Sequence, residues 1–438
     1  MGGGESGVGA AVLAKVKGFD TFLSDMSTLR ADHKEVLEKY GIEYEEGGHT
    51  PEKILNASEI IKSPGIPDTA PLVAKAIEAG IPIISEIEFA GRYDTAKKIC
   101  ITGSNGKTTT TSLIYYMLKN VGLNVGLGGN IGRSYAYQVA TEHFDIYVLE
   151  LSSFQLDNMY DFKADIAILL NITPDHLDRY GYDLQNYVNA KFRITQNMAA
   201  EDCFIFCSDD EITIKNLNQI VIKAQMLPIS QEQEVARGAY TLDGHMRVNY
   251  GHDPYEMEIS DLTLQGRHNV YNSMAAALTG KLMNITNENI RKALTSFMPV
   301  EHRMEKVLSV GGVLYVNDSK ATKVNSTWYA LECMTTPVVL ILGGKDKGND
   351  YSPLFDLVKN KVRAIVCMGV DNAKIHAAFE DKVATIVDTS SAEEAVKAAS
   401  KLAVEGDTVL LSPCCASFDL FKSYEDRGRQ FKEAVRNL

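Results

Sequence analysis

Short apolar runs alternate with amphipathic stretches along most of the chain. Lys98-Ile99-Cys100-Ile101-Thr102 has the length and polarity of a buried strand. It meets Gly103-Ser104-Asn105-Gly106-Lys107-Thr108-Thr109 and passes into Ser112 to Leu118, whose apolar positions fall at helical spacing. The order predicts a strand, a glycine turn and a helix. The same alternation recurs on both sides. Phe19 to Asp25 and Ile81 to Ile84 read as strands, the alternation continues through Glu59 to Pro67, and Ala10 to Lys15 and Pro71 to Ala79 read as helices. Further on, Ile146 to Leu149 and Ile166 to Leu170 read as buried strands, and Leu184 to Met198 and Asn269 to Met283 as helices. Between Arg237 and Thr263 the turns at Asp243-Gly244 and Gly251 predict a small antiparallel addition. After Pro299, Met304 to Val310 and Val313 to Val316 flank Gly311-Gly312 as a hairpin, and Val338 to Leu342, Ala364 to Cys367 and Val409 to Leu411 alternate with helices. The pattern is α/β with parallel sheets. No internal repeat accompanies it.

At 438 residues the chain is expected to hold about three domains. Their boundaries are placed at 1–92, 93–298 and 299–438. The formal net charge of −13 argues against nucleic acid as a partner. No apolar run is long enough to span a bilayer and no secretory signal is visible, so a cytoplasmic protein without a membrane partner is expected. The seven cysteines, among them Cys203, Cys207, Cys414 and Cys415, lack the paired spacing of a zinc site and read as reduced core thiols.

Candidate chemistry gathers at strand ends. Gly103 and Gly106 let the backbone turn and aim N–H groups at anionic oxygens, Lys107 adds a point charge, and Thr108 offers a hydroxyl to magnesium. A nucleoside triphosphate is the implied ligand, although Ile101 stands where the common phosphate-loop pattern has a glycine. Glu150 ends a strand beside this loop, where magnesium needs an oxygen. His176 ends another. Alone, it reads as a loop histidine, and Lys191 as a solvated lysine. Near the start, Gly2-Gly3-Gly4-Glu5-Ser6-Gly7 followed by Asp25 has the spacing of a dinucleotide-binding turn, but only Met1 precedes it where a strand is expected to lead in.

Taken together, these marks resemble the Mur ligases, the ATP-dependent amide-forming enzymes of peptidoglycan synthesis. The likeness runs almost end to end. It is carried by the phosphate loop, Gly128-Gly129-Asn130-Ile131-Gly132, Leu149 to Leu156, Asn171 to Tyr180, Gly266-Arg267-His268-Asn269, His302-Arg303, Asn317 to Thr322, Ser412 to Asp419 and Arg427-Gly428. The resemblance implies a Rossmann-like UDP-binding domain, a central P-loop ATPase-type domain and a C-terminal Rossmann-like domain that binds D-glutamate. The substrates would be ATP, UDP-N-acetylmuramoyl-L-alanine and D-glutamate, joined by a monomer through an acyl phosphate.

Residue by residue, the resemblance gives ATP to Gly103, Ser104, Asn105, Gly106, Lys107, Thr108, Thr109, Asn272, Arg303 and Asp318. Two magnesium ions would be held by Thr108, Glu150, His176 and a carbamylated Lys191, and Lys107, His176, Lys191 and Arg303 would be catalytic. Ser6, Asp25, Met26, Ser27, Gly65, Asn130 and Ser152 would serve the UDP-sugar, and Thr322, Lys347, Ser417, Phe418 and Tyr424 the D-glutamate end. Two lysines, Lys345 and Lys347, compete for one role, and position favours Lys347. Phe418 stands where the family usually has leucine. Closure of the third domain is expected to accompany nucleotide binding. A regulatory GTPase would share the phosphate loop but needs an Asn-Lys-x-Asp segment that is not present. A dehydrogenase would leave Lys107, Glu150 and Lys191 without a role, and a folate-directed glutamate ligase would not need the UDP-type domain.

Overall fold

A computed structural model describes residues 1–298 and 301–438, with the backbone alone at Asn325. The chain divides into two compact units, Met1–Thr263 with Asn269–Phe297, and Leu264–His268 with Met298–Leu438. The boundary placed at residue 299 falls outside the described residues.

The first unit is built on a nine-stranded sheet. Its strands are β5 (Lys97–Thr102), β6 (Val125–Gly129), β7 (Ile146–Glu150), β8 (Ile166–Leu169), β9 (Cys203–Cys207), β10 (Gln225–Ser230), β11 (Gly238–Leu242), β12 (His245–Asn249) and β13 (Tyr255–Glu258), which follow the four short strands β1 (Phe22–Asp25), β2 (Glu43–Glu46), β3 (Ile60–Ile61) and β4 (Ile83–Ile84). The order is β13-β12-β11-β10-β9-β8-β5-β7-β6, parallel from β6 to β11 and antiparallel thereafter. Strands β7, β8 and β9 are buried at every position, which is why they read as unbroken apolar runs. The antiparallel addition expected near residues 237–263 is β11 to β13.

Strands β9 and β10 go beyond the sequence reading. Cys203-Phe204-Ile205-Phe206-Cys207 lacks alternation, and Pro228 speaks against a strand. The sheet tolerates that proline because β11 joins β10 only from Ile229 onward, so the absent N–H faces no partner strand. The helix expected from Leu184 to Met198 ends at Phe192 and tightens into a 3-10 turn, Arg193–Thr195.

The N-terminal stretch forms two parallel pairs, β1 with β2 and β3 with β4, instead of one continuous sheet. Met1 and Gly2 lie in the seam between them. The Met1 ammonium donates to the Ile61 carbonyl at 2.7 Å and the Gly2 N–H to the Ser24 carbonyl at 2.9 Å. Burial pulls the pKa of that ammonium down to about 6.

Helix Glu5–Val16 and residues 84–90 share one hydrophobic core with β5, β7 and β8, through Leu13, Ile87 and Phe89 against Tyr135, Tyr147 and Leu149. Two buried carboxylates stitch the same boundary. Glu88 accepts the N–H groups of Tyr160 at 2.9 Å and Phe162 at 3.0 Å. Glu86 accepts the Ser134 hydroxyl at 2.6 Å and the Ala136 N–H at 2.7 Å, yet burial still raises its pKa to about 7.

The second unit holds a six-stranded sheet of β14 (Glu305–Val310), β15 (Val313–Asn317), β16 (Val338–Gly343), β17 (Val362–Met368), β18 (Ile386–Thr389) and β19 (Thr408–Cys414). The order is β14-β15-β19-β16-β17-β18, with β14 antiparallel as the hairpin predicted and the others parallel. A separate apolar cluster covers each face. All seven cysteines are free, six of them buried and Cys333 half-buried. Among the described residues no helix is long and apolar enough to cross a membrane.

Candidate active site

Strand β5 is flanked by β7 and β8, and the three deliver their C-terminal ends to one place, the usual position for a ligand in an open parallel sheet. Gly103 (φ 150°) and Gly106 (φ 84°) both occupy left-handed backbone that favours glycine. A Cβ on Gly106 would sit 2.4 Å from the Asn272 side-chain oxygen. Helix Lys107–Asn120 begins directly after it, and the amides of its first turn have no acceptor within the helix.

The loop is held from β8. Just past that strand, Asn171 accepts the Ser104 N–H on its carbonyl and the Asn105 N–H on its side chain, both at 2.9 Å, while its Nδ2 returns to the Asn105 carbonyl at 3.1 Å. Ser104 Oγ accepts the Thr173 N–H at 2.9 Å and lies 3.0 Å from the Tyr187 hydroxyl. Ser104 and Asn105 thus give the turn its shape, which leaves the helix start to face an anion. Asn171 belongs to a quoted motif but had no role assigned from sequence.

Two lysines converge on a single carbonyl. Lys107 Nζ donates to Gly103 O at 2.7 Å and to Ser104 O at 3.0 Å, and Lys191 Nζ donates to Gly103 O at 2.8 Å. Lys191 is 1 % exposed, with its ammonium 4.7 Å from the Tyr187 ring. The solvated-lysine reading is therefore wrong. A lysine in the last turn of a short amphipathic helix can point inward, and only tertiary packing decides that it does.

On the other flank Glu150 ends β7, paired with Ile101 of β5. Its Oε1 accepts Asn130 Nδ2 at 2.7 Å, while its Oε2 is buried without a hydrogen-bond partner. A buried anionic oxygen lacking donors beside a phosphate loop fits a divalent cation. Thr108 is buried nearby in the chain and Thr109 follows it into the helix. Thr110 Oγ1 donates to Asn272 Oδ1 at 3.1 Å, which ties helix Arg267–Leu282 to the loop helix. Ser152 caps helix Ser153–Asp157 in a reciprocal capping box with Gln155.

His176 lies past β8 in left-handed backbone (φ 53°), its ring 5.0 Å from Phe154 and its Nε2 3.6 Å from Asp175. Arg179 follows and stacks on the same Phe154 ring at 4.5 Å. Its guanidinium donates to the carbonyls of Gly65 at 3.1 Å and Pro64 at 3.3 Å, so the loop around Gly65 is tied to the segment bearing His176. Of the other N-terminal candidates, Asp25 accepts Gly3 N–H at 2.5 Å and Ser27 N–H at 2.6 Å, which fixes the glycine turn. Met26 and Ser27 are exposed, and Ser6 faces the Glu86 carboxyl.

In the second unit Asp318 follows β15 and is buried. Its carboxylate accepts Ser412 Oγ at 2.9 Å and Met304 N–H at 3.2 Å. Burial nevertheless raises its pKa to about 7 against the lowering effect of the Arg303 charge. Arg303 Nε is itself buried without a hydrogen-bond partner. Thr322 is half-buried, Ser417 is buried, and Lys347 and Phe418 are exposed. Lys345 N–H donates to Ala416 O at 2.8 Å, which pins that end of the loop and leaves Lys347 at its crest. Asp346 shapes the crest by accepting Gly348 N–H at 2.6 Å and Asn349 N–H at 3.0 Å.

Beneath these residues lies Arg427, fully buried, donating to Ser319 Oγ at 3.0 Å, Ser319 O at 2.9 Å and Cys415 O at 3.2 Å. Burial lowers its pKa to about 10. One guanidinium thus joins the turns after β15 and β19. Tyr424 opens the helix that carries it, capped by Ser423.

Three family models match successive parts of the chain: the MurD N-terminal domain over residues 9–71, the Mur ligase middle domain over 101–280 and the Mur ligase glutamate ligase domain over 302–415. The UDP-N-acetylmuramoylalanine--D-glutamate ligase of Bacteroides fragilis is 60% identical over 441 aligned residues, covering 100% of this chain and 99% of its own. The same-named protein of Porphyromonas gingivalis is 54% identical, covering 100% of this chain and 98% of its own. Among solved structures, the UDP-N-acetylmuramate-alanine ligase of Thermotoga maritima superposes with a TM-score of 0.61 at 19% identity, covering 99% of this chain and 98% of that one, which bears on the fold alone. A phosphate loop, its flanking carboxylate and buried lysine, three matching family models and 60% identity to a relative over the whole chain all lead to one statement: the chain belongs to the Mur ligase family.

Proposed function

We propose that the chain joins D-glutamate to UDP-N-acetylmuramoyl-L-alanine at the expense of ATP, as a cytoplasmic monomer organised as domains 1–92, 93–298 and 299–438. The observation that carries this reading is the 60% identity, over the full length, to a relative named for that reaction.

A carboxylate resists amines because it is anionic and lacks a leaving group. Transfer of the γ-phosphoryl group from ATP to the alanyl carboxylate gives an acyl phosphate and ADP. The D-glutamate amine then attacks the acyl carbon, loses a proton and expels phosphate, leaving the amide. Positioning and charge neutralisation carry most of such a reaction. Lys107 and the first-turn amides near Thr108 and Thr109 would hold the phosphates, and Asn272, Arg303 and Asp318 the rest of the nucleotide. Magnesium supplies Lewis-acid neutralisation when bound, with Thr108 and Glu150 the residues that would hold one ion and His176 with carbamylated Lys191 the second. Asn130 would act on Glu150 as a positioning residue.

The contact between Lys191 and Gly103 suits the carbamate reading. Carbamylation consumes one neutral amine and one carbon dioxide and releases one proton, and the product keeps one N–H. That N–H can stay on Gly103 O while the new carboxylate points away. For the substrates, Ser6, Asp25, Met26, Ser27 and Gly65 would meet the UDP moiety and Ser152 the acceptor. Lys347, Thr322, Ser417, Phe418 and Tyr424 would meet D-glutamate, where a lysine charge and hydroxyl donors suit two carboxylates.

The test is phosphate release with ATP, UDP-N-acetylmuramoyl-L-alanine and each glutamate enantiomer. Release that requires both the acceptor and the D-enantiomer is expected, together with transfer of one labelled acceptor-carboxylate oxygen into phosphate. Hydrolysis indifferent to acceptor and amino acid would overturn the proposal.

A further inference from the structure

The edge of the second unit's sheet carries a second constellation of metal-binding side chains. Cys367 of β17 and Asp388 of β18 are direct register partners, so their side chains share one face. Helix Ala373–Phe379 covers that face and brings His376. His376 Nε2 lies 3.1 Å from each Asp388 oxygen, and one donor atom from each of the three residues falls within 4.8 Å of the other two. Asn372 Nδ2 donates to Asp388 Oδ1 at 2.9 Å, the supporting hydrogen bond that a ligating carboxylate needs. The cluster opens into a cleft of about 520 Å³ lined by Gly369, Asn372, His376, Asp388, Ser390 and Glu394. Cys367 lies beneath it, fully buried.

We propose that Cys367, His376 and Asp388 form a binding site for a zinc-class divalent cation, with the fourth coordination position open to the cleft. One sulfur, one imidazole nitrogen and one carboxylate oxygen suit a borderline metal and do not suit magnesium. Metal bonds of roughly 2.0–2.3 Å set ligand atoms a little over 3 Å apart around a tetrahedron, so a cation would take the place of the direct His376–Asp388 ion pair at nearly the same spacing, and the thiol has to close in. Binding converts the Cys367 thiol to a thiolate and releases its proton. The same helix carries Lys374, which pairs with Asp346 at 3.2 Å, and the adjoining turn is held by Asp419 through the Val370 N–H at 3.2 Å. Metal occupancy would therefore stiffen the supports of the Lys347 loop and of the turn after Phe418. The three ligands bind a cation whichever reaction the chain performs.

The test uses the full chain titrated with cobalt(II) in excess magnesium, which fills oxygen-rich sites. One tetrahedral cobalt per chain with a thiolate-to-metal charge-transfer band is expected, bleached by equimolar zinc. Cys367→Ser should abolish the band. His376→Ala, at a half-exposed position that does not threaten folding, should weaken binding at least tenfold, and so should Asp388→Asn. Cys333→Ser, which removes the thiol of another His-Glu-Cys group at His268, Glu332 and Cys333, should leave the band intact. A cobalt spectrum without thiolate charge transfer, a band lost in Cys333→Ser instead, or affinity unchanged in His376→Ala would overturn the proposal.

Discussion

The phosphate loop of the first unit and the amino-acid end of the second are built in opposite ways. Around Gly103 two of the working groups are enclosed, Lys191 and Glu150, Lys107 is half-buried, Asn171 fixes the loop amides, and His176 is exposed. At the other end, of the groups expected to touch D-glutamate, Lys347 and Phe418 are exposed, Thr322 and Tyr424 half-buried and Ser417 buried, and the locked element is Arg427 underneath. Transfer of a phosphoryl group rewards preorganised charge, which water would weaken. Capture of a free amino acid rewards access.

The largest effect that this contrast predicts is at Lys191. Lys191→Ala should lower kcat by about 10³-fold or more, and a short-chain carboxylate added to the assay should restore part of it. Normal turnover in the variant would remove the carbamate role. Arg427→Leu should come next, because it strands the Ser319 and Cys415 acceptors in a buried setting. A loss of about 3 kcal/mol is expected in denaturant unfolding monitored on the second unit. An unchanged midpoint would mean that the turns after β15 and β19 hold themselves.

Lys347→Ala should separate the two design modes most cleanly. The KM for D-glutamate should rise about tenfold with stability within about 0.5 kcal/mol of the parent, whereas Lys345→Ala should leave KM unchanged. A reversed result would assign the contact to Lys345.

The smallest effect concerns what the two regions share, a buried carboxyl raised to about 7, Glu86 in one unit and Asp318 in the other. A raised carboxyl pKa means that the folded state holds the proton more tightly than the unfolded state. The stability that these two groups contribute is therefore fully present below the unfolded carboxyl range and is lost as pH rises from about 4 through 7. Glu86→Gln should raise the apparent Tm by about 3 °C at pH 8 and change it little at pH 4. An equal shift at both pH values would show that packing, not ionisation, is responsible.

The alternation of strands and helices and the two-glycine turn were readable because periodicity and backbone freedom are local properties. Pro228 masked β10, since only the late arrival of β11 makes a proline acceptable there. Burial of Lys191 was also hidden, because an inward lysine and a solvated one have the same local sequence. Arg427 was more accessible than it looked. It shares a helical face with Phe431 and Val435, both buried, and a charge on that stripe has to go inside. Asn171 and Arg179 act through backbone atoms of distant loops, and no sequence pattern encodes such partners.

The stitching of residues 64–66 and 86–88 to the middle of the chain bears on how such enzymes diversify. A chimera that exchanged the first 92 residues for those of another family member would leave Arg179 without its carbonyls and the Tyr160–Phe162 amides without an acceptor. Recombination at that point should yield folded hybrids only when the donor also brings its own versions of both contacts. Residues 64–66 and 86–88 thus work as one piece with the segments that they hold, and a seam drawn by sequence alone would cut through it.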